Sequence, residues 1–447
     1  MLEFYICFIL SIIYFSILIY FVNKFIVSMK LNNINMYSFS LYYDIGIFSL
    51  IGSIVLFTNS INTPFSQYIH NAGGFAFFSF LWSFFLFYVY TFFLIKVFGN
   101  INIAKLRYLV QLNLSKKEIR FVKFLFIVQI ILFLYIITNL QFIPVLELFQ
   151  GNLKEAAYWR VHSQLNFQGI LFIYNVFAKY FIPIVFLIIY YVYLKYKKIK
   201  YIFYGSMIIT FFYALHNIEK ANILNILIVM ILINIYIRGF KLKYIIYAFV
   251  IFVGAVILYG FTKSFGFSDI NYLLYRVLNR IFISQIAGMY LSFEWIPDII
   301  DKNFVYQGLP HIILKIFDLP DFNSAREIML ILEPNSKTVG VMNSYYIGGA
   351  WASYNLLGLV VGPFVVALNF YLFHKIIFKI PSKYKVIVIP MYFYFSTRFS
   401  YTGDYRNFAY LILIEVTIII LLFLIAIFNI FSKKYIWRRQ YEQISTH

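Results

Sequence analysis

The chain has 447 residues, of which 63% are hydrophobic, 23% aromatic and only 12% charged. Soluble domains carry roughly twice that charged share, so a soluble globular fold is excluded. The net charge of +20 does not point to nucleic acid, because the lysines and arginines fall in short clusters between apolar runs, as in inserted membrane proteins. A single cysteine, Cys7, leaves no intrachain disulfide framework.

Apolar runs recur along the whole sequence. Each is long enough to cross a hydrocarbon core about 30 Å thick as one helix, and the alternation of a spanning β-barrel strand is missing. The expected fold is all-α and polytopic. Its transmembrane helices, about eleven of them, are expected near residues 3–22, 40–59, 75–97, 121–143, 169–194, 201–217, 222–237, 244–262, 345–373, 385–397 and 407–431. The first, from Leu2 to Phe21, reads as a retained helix, since no basic stretch and small-residue cleavage site accompany it.

Charge sets the expected orientation. One alternate set of loops holds Lys24 and Lys30, the cluster from Lys96 to Lys123, Lys195 to Lys200, Arg238 to Lys243, Lys375 to Lys385 and the tail from Lys433 to Arg439. Its acids are Glu118 and Glu442. That side is expected to be cytoplasmic, with the N-terminus outside and the C-terminus inside. Between the eighth and ninth spans lies one long extracytoplasmic insert. The chain reads as a single transmembrane domain, 1–447, with residues 263–344 as an embedded external subdomain. No fixed-period repeat or mirrored loop lengths support an inverted-repeat transporter.

External cations need a reason to be there, and four places hold them. Arg160 lies beside Tyr158, Trp159 and His162, which suits an interfacial aromatic belt as well as an anion contact. Lys220, in His216-Asn217-Ile218-Glu219-Lys220, sits at or below the bilayer surface, where a lysine pairs or binds an anion. Arg276 and Arg280 are four residues apart, so a helix stacks them on one face. Two guanidinium forks facing one way match a phosphate or pyrophosphate, with Asp269 as the alternative counter-ion. Arg398 either closes a turn with Asp404 or contacts a ligand. Lys263 reads as a flanking anchor. Asp298 and Asp301 could bind a divalent ion, but no supporting ligand cluster accompanies them, so no metal is expected. P-loop, dinucleotide and nucleophile-elbow motifs are missing. After the insert, Asn343, Tyr345, Tyr346 and Trp351 lead into a span that continues through Gly358, Gly362 and Pro363. Polar and aromatic side chains at such a mouth suit a sugar, and the small residues suit close helix contact.

Taken together, the loop ending at Arg160, the insert carrying Arg276 and Arg280, and the run from Asn343 to Pro363 resemble the bacterial O-antigen or oligosaccharide repeat-unit polymerase family. Some members carry an arginine–glycine spacing that is longer than Arg160 to Gly169 and shorter than Arg276 to Gly288 here. The resemblance implies a multi-pass protein of the bacterial inner membrane, with a periplasmic active site and no cofactor. It implies a metal-independent glycosyltransferase acting on polyprenyl-pyrophosphate-linked oligosaccharides, with a chain-length regulator as a further partner. On that footing Arg160, Lys220, Arg276, Arg280 and Arg398 bind pyrophosphate, and Asn343, Tyr345, Tyr346 and Trp351 bind glycan. His311 or Glu294 then accepts the acceptor hydroxyl's proton.

Three rivals remain: a lipid-linked glycan flippase or transporter, a glycan ligase of related mechanism, and a membrane acyltransferase. A transporter wants charges lining a path through the spans. Away from span ends, Asp44 and Glu415 are the only acids expected in spans and Lys179 the only base. An acyltransferase wants histidines at the cytoplasmic face, where His374 stands alone.

Overall fold

The computed structural model describes the chain except residues 1, 31–32, 163–165, 219, 248, 251–252, 255–269, 308, 310, 335–340 and 445–447. It is 76% helical, without strands among the described residues; one isolated bridge joins Leu140 and Phe167. Eight helical stretches among those residues are long and apolar enough to cross a membrane: Leu2–Phe25, Met36–Thr58, Gly73–Phe98, Lys116–Thr138, Ile173–Lys195, Ala221–Arg238, Tyr345–Lys379 and Ile412–Ile430. The protein is thus an all-α, polytopic membrane protein. Much of the expected eighth span, together with Lys263 and Asp269, lies outside the described residues.

Local chemistry starts two of these helices. The Asn35 side chain accepts from the backbone N–H groups of Tyr37 and Ser38, and the Ser38 hydroxyl returns the contact to Asn35 N. Ser115 and Glu118 form the same reciprocal box before Lys116–Thr138. Each box satisfies donors that a helix start otherwise leaves open.

Residue contacts group the chain into two compact units. One comprises Met1–Ile103, Tyr259–Ile376 and Ser396–Ile414; the other Ala104–Leu258, Ile377–Phe395 and Glu415–His447. In the second unit, Ile173–Lys195 is the central helix, buried without a break from Phe181 to Val192 between Lys116–Thr138 and Lys200–Leu215. One carboxamide ties the three together. Gln129 donates to the Ile182 carbonyl at 3.2 Å and to Thr210 Oγ1 at 2.9 Å, and accepts from Ser206 Oγ at 2.6 Å. Such polar contacts hold helices together where lipid supplies no hydrophobic drive. Two of the unit's lysines cap helix C-termini: Lys195 Nζ donates to the carbonyls of Val110 and Leu112, and Lys105 Nζ to those of Phe378 and Ile380. Lys385 pairs with Glu118 at 2.7 Å.

The first unit departs from the expected succession of spans in three places. The expected ninth span, 345–373, and with it the apolar stretch Tyr345–Lys379, is not one regular helix. It breaks at the 3₁₀ turn Asn355–Leu357 into Tyr345–Tyr354 and Gly358–Lys379. The two run antiparallel: a Cβ on Gly358 would lie 2.1 Å from the Ala350 carbonyl oxygen, and one on Gly362 would be 2.8 Å from Ala350 Cβ and 3.4 Å from Ile347. Asn355 turns the chain at φ 51°.

The second departure is in the insert. Ile270–Leu278, the π-helical turn Asn279–Ile283 and Ala287–Trp295 form a hairpin set into the helical body. Tyr275 Oη donates to the Asn62 carbonyl at 3.3 Å, the Phe282 carbonyl rests against Gly52, and Tyr290 Oη meets Ser53 Oγ at 2.8 Å. The chain then climbs to Glu294, which accepts from Asn71 N and Ala72 N. Residues 286–293 are buried, so this part of the insert packs into the protein and does not stand out as a separate subdomain. Ala287–Trp295 packs parallel to Tyr345–Tyr354, with Gly348 against Met289 and the Trp351 indole donating to the Ile296 carbonyl at 3.0 Å.

Third, the expected external loop from Thr397 to Arg406 lies inside the unit. Phe399, Tyr401 and Tyr405 are buried, and the Phe399 carbonyl accepts from Ser40 Oγ at 3.3 Å, near the Met36 end of its helix. Non-helical backbone buried among helices persists only where protein or a cavity satisfies it.

Candidate functional site

The hairpin of the first unit carries two of the five expected pyrophosphate ligands. Arg276 is half-buried near the end of Ile270–Leu278, and Arg280 is exposed in the π-helical turn that follows. At the tip, Gln285 donates through Nε2 to the Arg280 carbonyl at 3.1 Å, and its Oε1 accepts from Asn343 Nδ2. The sequence did not single out Gln285. It joins the arginine turn to the exposed Asn343, two residues before the half-helix Tyr345–Tyr354 begins. A Cβ on Gly288 would lie 2.4 Å from the Asn343 carbonyl oxygen, so the absence of a side chain there lets the two segments meet.

The other expected glycan ligands take different positions. Trp351 is half-buried in an aromatic group with Phe293 and Phe75, ring centroids 4.9 and 5.5 Å away. Tyr345 and Tyr346 are fully buried, inside a cluster with Phe84, Tyr401 and Phe408. Glu294 has both carboxylate oxygens engaged with the backbone amides of Asn71 and Ala72, just ahead of the helix Gly73–Phe98. A carboxylate is favoured at such a helix start, and this placement gives Glu294 a structural task. The side chain of His311 lies outside the described residues.

Arg398 is half-buried in the interior segment after Ser396. The ion pair of its turn is Asp404 with Arg406, a two-pronged contact at 2.6 and 2.7 Å. The segment is held from elsewhere. Asp44, 2% exposed in the π-helical stretch Leu41–Ser49, accepts from Ser400 Oγ and Tyr401 N, each at 2.9 Å. A lone acid in an apolar run was the signal; its partners, more than 350 positions away in sequence, were not readable.

In the second unit, Arg160 is exposed on Leu153–Val161. Beside it Trp159 stacks on Phe142 at 4.4 Å, and Tyr158 on His162 at 4.4 Å. These rings pack on protein, and Asn166 fixes Phe142 by bonding both its N–H and its carbonyl. His216 is buried, with Nε2 3.3 Å from Tyr174 Oη. Lys220 opens Lys220–Arg238; its side chain, and Glu219, lie outside the described residues. Elsewhere in the insert, Lys302 pairs with Glu327 at 2.6 Å, and Asp298 and Asp301 are exposed.

Within the first unit, then, the structure brings Arg280, Gln285 and Asn343 together, with Arg276 one turn away. Guanidinium forks suit an oxyanion, and carboxamides at the start of a half-helix suit hydroxyls. No protein-family model, curated protein or solved structure matches the chain.

Proposed function

We propose that the chain is a surface-polysaccharide polymerase of the bacterial inner membrane, a glycosyltransferase requiring no metal or cofactor. It transfers a growing glycan from its polyprenyl pyrophosphate carrier to the non-reducing end of a new lipid-linked repeat unit at the periplasmic face. In this reading the chain crosses the membrane eleven times, with the N-terminus periplasmic and the C-terminus cytoplasmic. Arg276 and Arg280, with Arg398, meet pyrophosphate; Asn343 and Trp351 meet sugar. Negative charge develops on the departing pyrophosphate as the glycosidic bond breaks, and preorganised guanidinium groups stabilise it. With Glu294 occupied at a helix start, His311 is the proposed proton acceptor. A chain-length regulator is the proposed protein partner.

The observation that carries this reading is the Gln285 bridge, which ties the arginine-bearing turn to Asn343 in a hairpin set into the helical body. A second reading, a lipid-linked glycan flippase, draws on the half-helix Tyr345–Tyr354 and the interior segment after Ser396, since broken helices mark many transporters.

Deleting the gene and resolving the surface glycan on a gel separates the two. Loss of a polymerase leaves single repeat units on the lipid anchor, whereas loss of a flippase leaves none. Arg276→Ala and Arg280→Ala are expected to reproduce the single-unit pattern with the protein still inserted, lowering polymer on the order of 100-fold. Full ladders from both variants would refute the site.

A further inference from the structure

Asp44 is a buried carboxylate with no task in the chemistry just described. Burying such a group is costly unless it is paired and hydrogen-bonded, yet the ion pairs among the described residues do not include it. Its partners are neutral. Oδ1 takes the Ser400 hydroxyl, itself 2.8 Å from Thr402 Oγ1, and Oδ2 takes the Tyr401 N–H. From the same helix, Ser40 Oγ donates to the Phe399 carbonyl at 3.3 Å. Three consecutive residues, Phe399 to Tyr401, are therefore clasped from Met36–Thr58. Arg398 immediately precedes them and follows the helix end at Ser396 by two residues.

The clasp reaches further through Tyr401. While its N–H is held by Asp44, its carbonyl accepts from Tyr346 N at 3.0 Å, in the first turn of the half-helix that follows Asn343. One carboxylate thus sets the height of both the Arg398 segment and the start of that half-helix. We infer that Asp44 is a positioning residue for Arg398, acting through Ser400 and Tyr401 to fix where the guanidinium is presented. The inference deepens the pyrophosphate role proposed for Arg398 and rests on that reading for its catalytic meaning.

Two measurements test it, one independent of activity. With Cys7→Ser removing the only native thiol, Arg398→Cys reports the position of residue 398 by its rate of reaction with a cationic thiosulfonate. Adding Asp44→Ala is expected to change that rate several-fold. Adding Asp44→Asn is expected to leave it nearly unchanged, because the amide oxygen still accepts from Tyr401 N and the amide nitrogen can donate to Ser400 Oγ. Equal rates in all three backgrounds overturn the inference. If Asp44→Ala fails to insert, Ser400→Ala removes one of the two donors and carries the same comparison.

The second measurement is a double-mutant cycle on polymerisation of a defined lipid-pyrophosphate-linked repeat unit by the full chain in nanodiscs. Asp44→Ala alone is expected to lower kcat/KM about tenfold, and to cost nothing further in an Arg398→Ala background. Equal losses in both backgrounds overturn the inference. Full activity of Arg398→Ala alone, with labelling still dependent on Asp44, removes Arg398 from the pyrophosphate site while leaving the positioning role standing.

Discussion

Two buried carboxylates of this protein meet the same physical problem in different ways. Glu118 has a cation: Lys385 lies 2.7 Å from Oε1, the two side chains are 2% and 9% exposed, and Oε2 closes the capping box on Ser115 N. Among the described residues, Asp44 has an amide and a hydroxyl. The first arrangement fastens one regular helix start to another helix's beginning. The second supplies acceptors to backbone that is not helical, in a part of the chain that carries an arginine. In this protein the carboxylate that locks two helix starts pairs with a lysine, whereas the one that holds irregular backbone meets neutral donors.

Lys385→Ala should have the largest effect, since it strands Glu118 as a buried unpaired charge. The expected loss is about 3–5 kcal/mol, read as a fall in thermal unfolding midpoint in detergent. Replacing both partners, Lys385 by an apolar residue and Glu118 by Gln, should restore most of it, because the amide oxygen still accepts from Ser115 N and no unpaired charge is left buried. If the single and double variants fall equally, the pair is not what stabilises that helix start.

Asp44→Ala comes next. The Ser400 hydroxyl can turn to Thr402 Oγ1, so one buried donor, Tyr401 N–H, is left without its acceptor, at about 1–3 kcal/mol. Asp44→Asn should recover most of that loss. A variant with the amide as unstable as the alanine would mean that the negative charge itself, and not its accepting oxygens, holds the segment. Ser400→Ala should be smallest, about 0.5–1.5 kcal/mol for one net hydrogen bond. A loss as large as that of Asp44→Ala would place the hydroxyl, and not the Tyr401 amide, at the centre of the clasp.

The hairpin break at Asn355–Leu357 has a trace in the sequence. A helix over the 29 residues from 345 to 373 would extend about 43 Å, well beyond a hydrocarbon core of about 30 Å. The glycines at 358 and 362, read as helix-contact residues, turn out to contact the preceding half of the same expected span. The interior hairpin had a weaker trace. Residues 281–296 form a largely apolar run inside a stretch otherwise rich in charge, but Gln285 and Glu294 interrupt it. Gln285 offered no trace at all, because a glutamine in a loop is ordinary until Arg280 and Asn343 are seen on either side of it.

Composition and the placement of lysine and arginine determined, by themselves, that this is a helical membrane protein, because lipid allows only closed backbone hydrogen bonding and the apolar runs have helix-spanning length. They also marked Arg276, Arg280, Asn343 and Arg398 as residues with something to explain. Tertiary structure alone decided where an apolar stretch breaks and folds back on itself, and which donors Asp44 receives. The reason is that an apolar run has the same composition in either geometry, while a buried polar group is satisfied by whatever the fold brings to it from hundreds of residues away.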